Sequence, residues 1–394
     1  MTGFNKLSIY FIWLACIYDP IGKLFYLKYV SILMMLLAVI INSFFRKSLP
    51  KFYTLSLVFF SILLPGYGLG LSIIHGGISG DFIDTSYLIS GLFFFLSLAF
   101  LDKNEDFAVE GLVFSLRCLS ISILSLFVLD GSEVFGNVAN FYIANGIAFI
   151  GTREYSGYTF PYLYFITSPM LIFLIAYQTW DVLKERRITS YVWLILAVLS
   201  MFLTGTRAAM IMAIGGVFFI YGWYYYGRKS LFSYPLLLLL VLILAMMFPR
   251  SMEIINAFID VREGSNATKL AYLDSYLIIF NEPLYFLAGQ GFNAHEWSFE
   301  FAKNLSEGAS KVELTYLEFI RVFGLIVFIP FIYILYCVTL GSISKRTIFQ
   351  WYPAATLLYL LISATNPYIF SMNGMLILGL ACVLTMPKTK VCPT

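Results

Sequence analysis

The segment 231–248, LFSYPLLLLLVLILAMMF, decides the fold class because it is long and continuously apolar. A transmembrane β-strand has about ten residues and alternates apolar with polar positions, and this segment does not alternate. Its length instead approaches the ~20 apolar residues that an α-helix needs to cross a bilayer. The segment therefore predicts a transmembrane helix and a helical membrane fold.

The composition of the whole chain agrees with a membrane location. Of its 394 residues, 60% are hydrophobic and 12% are charged, about half of the ~25% charged residues of soluble proteins. A soluble domain of this length could not bury that much apolar surface. The composition therefore excludes a disordered chain, a coiled coil and a secreted disulfide scaffold. The cysteines and histidines form no ligand cluster, so neither a metal nor another cofactor is expected.

Apolar runs of similar length recur along the chain. They predict an all-α polytopic membrane protein of about twelve transmembrane helices, in a single membrane domain over residues 1–394. The predicted spans are 7–22, 26–45, 52–74, 86–101, 107–129, 159–180, 191–206, 208–226, 231–248, 314–340, 348–365 and 371–387. Two connecting segments, 130–158 and 249–312, are too long to be simple connectors, and the second contains helix-like stretches at 251–260 and 267–280.

Lysine and arginine residues predict the orientation of these spans. Fourteen lie in the loops on the side of both termini, whereas the short loops of the opposite side carry only four. Because cytoplasmic loops are enriched in Lys and Arg, both termini are predicted to be cytoplasmic. The segments 130–158 and 249–312 then become extracytoplasmic loops.

The joint Thr204-Gly205-Thr206-Arg207 places an arginine and hydroxyl groups at the predicted outer end of a span. A helix N-terminus attracts anions through its free N–H groups, and a guanidinium adds a charge suited to phosphate oxygens. Arg207 and Thr206 are therefore candidates for binding a diphosphate. The alternative is a helix cap with an arginine that snorkels to the interface.

Three further residues of the outer segments are candidates for chemistry. Glu313 precedes a span and, if burial raises its pKa, can act as a general base; otherwise it is a first-turn acid that favours the helix dipole. His295 is a second candidate base or a solvated loop residue. Arg153 is a candidate for binding phosphate or forms an ion pair with Glu154.

Charged residues within the spans have structural interpretations. Glu318 and Arg321 are spaced i,i+3, so they are predicted to pair on one helix face. Arg117 has no nearby partner in the sequence, and its partner must come from another helix. The Gly66–Gly70 spacing predicts helix packing.

Several short motifs resemble bacterial O-antigen polymerases (Wzy type) and O-antigen ligases. Thr204–Ala209 resembles the small-residue, Ser or Thr, then Arg signature of this family, and Leu287–Phe292 resembles its Gly-x-Gly-Phe. Glu313-Leu314, followed by Gly324, resembles the segment that opens the next span in both groups. Asn366-Pro367, before the last span, also resembles this family. The resemblance covers roughly residues 150–385 and the layout of the spans with a large late loop.

The resemblance implies metal-independent transfer of glycans linked to undecaprenyl diphosphate, at the outer face of the bacterial inner membrane. The ligases have a catalytic histidine where this chain has Glu313, and this difference favours a polymerase of O-antigen or capsule repeat units. Expected partners are lipid-linked oligosaccharides, membrane lipids and a co-polymerase that determines chain length, with no nucleic acid. The alternatives are an O-antigen ligase and a transporter or flippase of lipid-linked glycans.

Overall fold

The computed structural model describes residues 2–24, 26–44, 49–76, 85–101, 104–129, 133–155, 158–226, 264–292, 294, 314–342, 349–366 and 368–385. Within them lie fourteen α-helices, of which the last is buried along its whole length, and one two-stranded sheet. The helices are α1 Thr2–Tyr18, α2 Leu27–Ser43, α3 Lys51–His75, α4 Thr85–Leu96, α5 Glu105–Val128, α6 Glu133–Ala144, α7 Leu171–Glu185, α8 Ile188–Leu203, α9 Arg207–Tyr226, α10 Gly264–Phe280, α11 Pro283–Ala288, α12 Thr315–Val338, α13 Trp351–Ile362 and α14 Met372–Leu384. The strands are β1 Ala148–Tyr155 and β2 Tyr158–Phe165.

Four of the described helices are long and apolar enough to cross a membrane: α3, α5, α9 and α12 with the short turn that extends it to Ser342. The helices α2, α8 and α14 are apolar but shorter. Each predicted span overlaps a helix, except that 231–248 lies outside the described residues. The fold is therefore mostly helical with several membrane-type helices, whereas the number of twelve spans stays a prediction.

The outward faces of these helices are apolar. On α2 and α8, large aliphatic side chains repeat at helical spacing and are about half exposed. They are Leu33, Leu37 and Ile40 on α2, and Val192, Ile195 and Leu199 on α8. A soluble monomer rarely exposes such continuous apolar stripes. This surface is typical of a multi-pass membrane protein.

Polar side chains join the helices inside the bundle. The Ser120 and Ser200 hydroxyl oxygens lie 2.7 Å apart between α5 and α8. On the same pair of helices, the Arg117 guanidinium carbon lies 5.0 Å from the centroid of the Trp193 ring. The prediction that Arg117 finds its partner on another helix is therefore confirmed, and the partner is an aromatic face.

The predicted span 159–180 is wrong in its first half, and with it the expectation of an entirely α-helical fold. Residues 158–165 form β2, which pairs antiparallel with β1, and α7 begins only at Leu171. Pro161 would remove a hydrogen bond from a helix interior, whereas the aromatic residues of β2 are favourable in a strand. The first long loop is thus an ordered β-hairpin preceded by α6.

The hairpin lies at one end of the helix bundle, where several chain segments meet. Thr167, which follows β2, donates a hydrogen bond of 3.1 Å to the Ile17 carbonyl at the end of α1. Asn373, in the first turn of α14, donates one of 3.2 Å to the Cys16 carbonyl. We call this the hairpin end. At the opposite end, the Trp223 indole of α9 donates to the Gln350 carbonyl just before α13.

Candidate functional site

The joint that contains Arg207 lies between α8 and α9 at the hairpin end. Gly205 has φ +67°, a left-handed conformation that glycine adopts without strain. The Thr206 hydroxyl accepts a hydrogen bond of 3.3 Å from the Ala209 N–H, and its carbonyl accepts one of 2.9 Å from Met210. Arg207 is therefore the first residue of a capped helix and is half-buried. The predicted helix N-terminus is confirmed, whereas its anion-binding role remains a prediction.

Strand β2 packs directly against this joint. A Cβ atom placed on Gly205 would lie 2.3 Å from the Tyr162 Cβ, so only a glycine allows this approach. The Tyr162 ring in turn lies across Gly151 of β1, where an added Cβ would meet its hydroxyl at 2.9 Å. The hairpin therefore covers the Arg207 joint with a tyrosine.

The face of the hairpin that covers the joint is rich in aromatic residues. Tyr162 and Tyr164 are two residues apart on β2 and share this face, and both are half-buried. The Tyr164 ring stacks on Phe149 across the sheet at 6.3 Å, and its hydroxyl forms a hydrogen bond with the Tyr368 hydroxyl. Arg153 pairs with Phe160 in the register, so position 153 alternates onto the same face as Gly151. The structure thus brings the backbone positions of both candidate arginines to one end of the bundle.

Neither candidate base has a described position. Glu313 and His295 both lie outside the described residues, and Leu314 is the first described residue before α12.

The motif Leu287–Phe292 and the motif that ends at Gly324 lie far apart in the sequence but contact each other in the fold. The Gln290 N–H donates to the Arg321 carbonyl at 2.7 Å, and the Gly291 N–H donates to the Val322 carbonyl at 2.9 Å. These acceptors lie just before Gly324, where α12 is interrupted by a residue with φ 73° and ψ 169°. The backbone after α11 therefore pairs with the backbone of α12 next to its break.

Residues 289–292, which we call the glycine loop, also pack against α3. The Ser72 hydroxyl accepts a hydrogen bond of 2.8 Å from the Phe292 N–H, and the Phe292 ring lies on Gly68, where an added Cβ would be 2.4 Å away. Among the described residues, no atom lies within 4 Å of a Cβ added to Gly66 or Gly70. The glycine between them makes this packing contact, and the packing role of Gly66 and Gly70 stays a prediction.

A buried charged cluster ties α10 to α12. The Arg321 guanidinium donates two hydrogen bonds, of 2.8 and 2.6 Å, to the two carboxylate oxygens of Glu318. This confirms the predicted i,i+3 pair. The Tyr276 hydroxyl of α10 donates a third hydrogen bond of 2.7 Å to the same carboxylate. Both carboxylate oxygens of Glu318 accept hydrogen bonds, and the one from Tyr276 fixes α10 against α12.

Tyr276 is the member of this cluster that sequence reasoning missed. Burial and the neighbouring Glu318 carboxylate raise the pKa of the Tyr276 phenol well above its usual value, so it stays a hydrogen-bond donor. Tyr272, Tyr276 and Ile279 form the buried face of α10, and their spacing of i, i+4, i+7 is the only sequence signal for it.

The short segment 368–370 connects the hairpin to α12 through aromatic side chains. Tyr368, bonded to Tyr164 of the hairpin, lies two residues before Phe370. The Phe370 ring stacks on Phe319 at 5.5 Å, and Phe319 is adjacent in sequence to Glu318. The segment 368–370 therefore contacts the hairpin through Tyr164 and helix α12 through Phe319.

Comparisons with protein families, with curated proteins and with solved structures found no match to this chain. We therefore infer its function from its own residues, their geometry and the motif resemblance.

Proposed function

We propose that this protein is an O-antigen or capsule repeat-unit polymerase of the bacterial inner membrane. The observation that supports this most is Arg207, which is half-buried as the first residue of α9 and lies two residues after Gly205, where Tyr162 of the hairpin packs. Charge bias predicts that this end of the bundle faces the outside, where lipid-linked repeat units are joined. About twelve spans with both termini cytoplasmic complete the proposed topology.

The proposed reaction transfers a growing glycan from undecaprenyl diphosphate to a lipid-linked repeat unit. An acceptor hydroxyl oxygen bonds to the anomeric carbon of the donor, and the bond from this carbon to the diphosphate oxygen breaks. The hydroxyl proton passes to a general base, for which Glu313 and His295 are the candidates. The undecaprenyl diphosphate leaves as an anion, and no metal or other cofactor is required.

Arg207 acts in this proposal on the leaving group. Negative charge grows on the diphosphate as the glycosidic bond breaks, and a preorganised cation at the positive end of the α9 dipole would stabilise it. Thr206 is a second contact, although its hydroxyl also caps Ala209. Arg153 is proposed to contact the diphosphate or the glycan from the hairpin.

The aromatic residues of the hairpin suit the glycan. Phe149 is about half exposed, whereas Tyr162 and Tyr164 are half-buried. Aromatic faces pack against the C–H faces of sugar rings while phenol hydroxyls bond to sugar hydroxyls. Binding energy from several sugars would position the reacting carbon, and positioning supplies much of the rate.

A chain-length gel of surface lipopolysaccharide tests the proposal in a strain that lacks this protein. A missing polymerase leaves lipid A–core capped by one repeat, whereas a missing ligase leaves the core uncapped and polymer on its carrier. A missing flippase strands repeats on the cytoplasmic side. Core that carries one repeat supports the proposal, and either other pattern contradicts it.

Variants returned to this strain test the residues. Arg207→Ala and Arg207→Lys should both abolish long chains, because lysine lacks the bidentate fork. Arg187→Lys, at an exposed arginine beside Glu185, is the matched control and should restore the ladder. Glu313→Gln keeps the shape but removes the basic carboxylate: single repeats at normal protein level identify Glu313 as the base, and an intact ladder transfers that role to His295. A full ladder with Arg207→Lys would contradict the role of the fork.

A further inference from the structure

The segment from α10 to Phe292 belongs to the second long loop, which the sequence places in water outside the membrane. Its position relative to two of the long apolar helices indicates otherwise. The relevant contacts are those of the glycine loop with α12 and with α3, and each gives an independent measure of depth.

The first measure uses α12. With its terminal turn this segment covers Thr315–Ser342, 28 residues, which is at most about 42 Å at ~1.5 Å per residue, because Gly324 interrupts the helix. When a hydrocarbon core of ~30 Å is centred on this segment, about 6 Å of helix extends beyond the core at each end. Gly324 is nine residues, about 14 Å, from Thr315, and an added Cβ there would lie 2.2 Å from the Leu287 carbonyl. The end of α11 therefore lies about 8 Å inside the core.

The second measure uses α3, which is independent of the break in α12. This helix has 25 residues, about 37 Å, and extends about 4 Å beyond the core at each end. Gly68 is seven residues from His75, about 10 Å along the axis, and the Phe292 ring packs on it. Phe292 is therefore about 6 Å inside the core, in agreement with the depth from α12.

The hydrogen bonds of this segment are those that a backbone in hydrocarbon requires. Non-helical backbone at membrane depth is tolerated only where protein satisfies its polar groups. The Gln290 and Gly291 N–H groups bond to α12, and the Phe292 N–H bonds to Ser72. The Ala288 carbonyl accepts a hydrogen bond of 2.8 Å from the Tyr67 hydroxyl.

The exposed side chains of the segment are apolar and adjoin other lipid-facing surface. Leu284 of α11 is 63% exposed and Leu287 is 46% exposed. Tyr285 of α11 lies edge-on to His75 at the end of α3, next to Ile73 and Ile74, which are also exposed. The apolar surface therefore continues from a membrane-type helix onto α11.

Helix α10 lies closer to the aqueous phase than α11, at the edge of the hydrocarbon core. Its Tyr276 bonds to Glu318, only three residues into α12, which is close to the edge of the core. Its outward face combines exposed Leu273 and Leu277 with exposed Asp274. A mixed apolar and charged face is typical of helices that lie in the membrane interface.

We propose that α10 and α11, with residues 289–292, form a membrane-inserted element at the hairpin end. Helix α10 lies in the interface, and α11 enters the hydrocarbon as a re-entrant segment whose exposed leucines contact lipid acyl chains. This inference depends on the membrane-type helices and is independent of the proposed reaction.

Photo-crosslinking of the full chain in phosphatidylcholine vesicles tests this position. The amino acid p-benzoylphenylalanine, which inserts into nearby C–H bonds, is placed singly at Leu284 or Leu287. Ile329, 62% exposed on α12, is the lipid-facing reference, and Arg187 at the opposite end is the aqueous reference. After irradiation, intact-mass spectrometry measures the fraction of protein that carries one phosphatidylcholine.

We expect adducts at Leu284 and Leu287 at yields comparable with Ile329 and about tenfold or more above Arg187, since only the core offers dense acyl chains. Yields as low as at Arg187 would place α11 in water and overturn the proposal. A crosslinked dimer without lipid adduct would also overturn it, because a second copy would cover the leucines. If the Leu287 variant does not fold, the more exposed Leu284 position decides alone.

Discussion

Replacing Gly324 by alanine tests whether α12 is interrupted in order to receive the glycine loop. Gly324 has φ 73° and ψ 169°, a region that essentially only glycine occupies, and a side chain there costs about 1–3 kcal/mol. The new Cβ would also lie 2.2 Å from the Leu287 carbonyl oxygen and 2.4 Å from the Ala288 carbonyl carbon. Both contacts are with backbone, so one of the two segments must move.

That movement would lengthen or break the hydrogen bonds next to the interruption in α12. Gln290 and Gly291 donate to the carbonyls of Arg321 and Val322, and each bond contributes about 1 kcal/mol net. Strain and lost hydrogen bonds together predict a loss of about 3–5 kcal/mol for Gly324→Ala. Gly66→Ala is the matched control, since no atom of the described part of the chain lies near its added Cβ, and alanine in a helix gains about 0.5–1 kcal/mol.

Thermal unfolding of the purified protein in detergent measures this difference. Cys16 and Cys382 are fully buried, so a thiol-reactive dye reports the opening of the core during heating. We expect Gly324→Ala to unfold at a clearly lower temperature than wild type, and Gly66→Ala at the wild-type temperature or above. Equal midpoints for the two variants would refute the pairing of Gly324 with the end of α11.

Three smaller predictions concern the other contacts. Tyr276→Phe removes a hydrogen bond to a charged group and should cost about 1.5–3 kcal/mol, whereas Tyr272→Phe on the same face of α10 should cost much less in the same thermal assay. Because the pKa of Tyr276 is raised in the fold while an unfolded phenol ionises near ~10, wild-type stability should fall above that pH, and Tyr276→Phe should lose this part of the decline. A double-mutant cycle of Ser120→Ala with Ser200→Ala should show coupling of about 0.6 kcal/mol; additive effects would contradict their hydrogen bond.

Hydropathy predicts the membrane-type helices well because their apolar character is local. The predicted runs near α3, α5, α9 and α12 agree with the observed helices to within a few residues. The same measure fails at 159–165, because Tyr and Phe score as apolar in either secondary structure. Pro161 and the preceding Ser156-Gly157 turn signal were the cues for a strand.

The candidate site was predictable only in part. The cap at Thr206 and the Glu318–Arg321 pair follow from spacings within one helix turn, and both are confirmed. The contact of Tyr162 with Gly205 and the hydrogen bond from Tyr276 to Glu318 join residues about 40 positions apart. No local pattern specifies such contacts, because they depend on how the helices pack.

The most direct test of the proposed chemistry uses purified full-length protein in vesicles with an undecaprenyl-diphosphate-linked repeat unit and a metal chelator. Mass spectrometry follows the lipid-linked glycans and the released undecaprenyl diphosphate. We predict glycans of two or more repeats, with one undecaprenyl diphosphate released for each linkage, and loss of both products in Arg207→Lys at unchanged thermal stability. Absence of longer glycans with folded wild-type protein, or wild-type product levels with Arg207→Lys, would contradict the account.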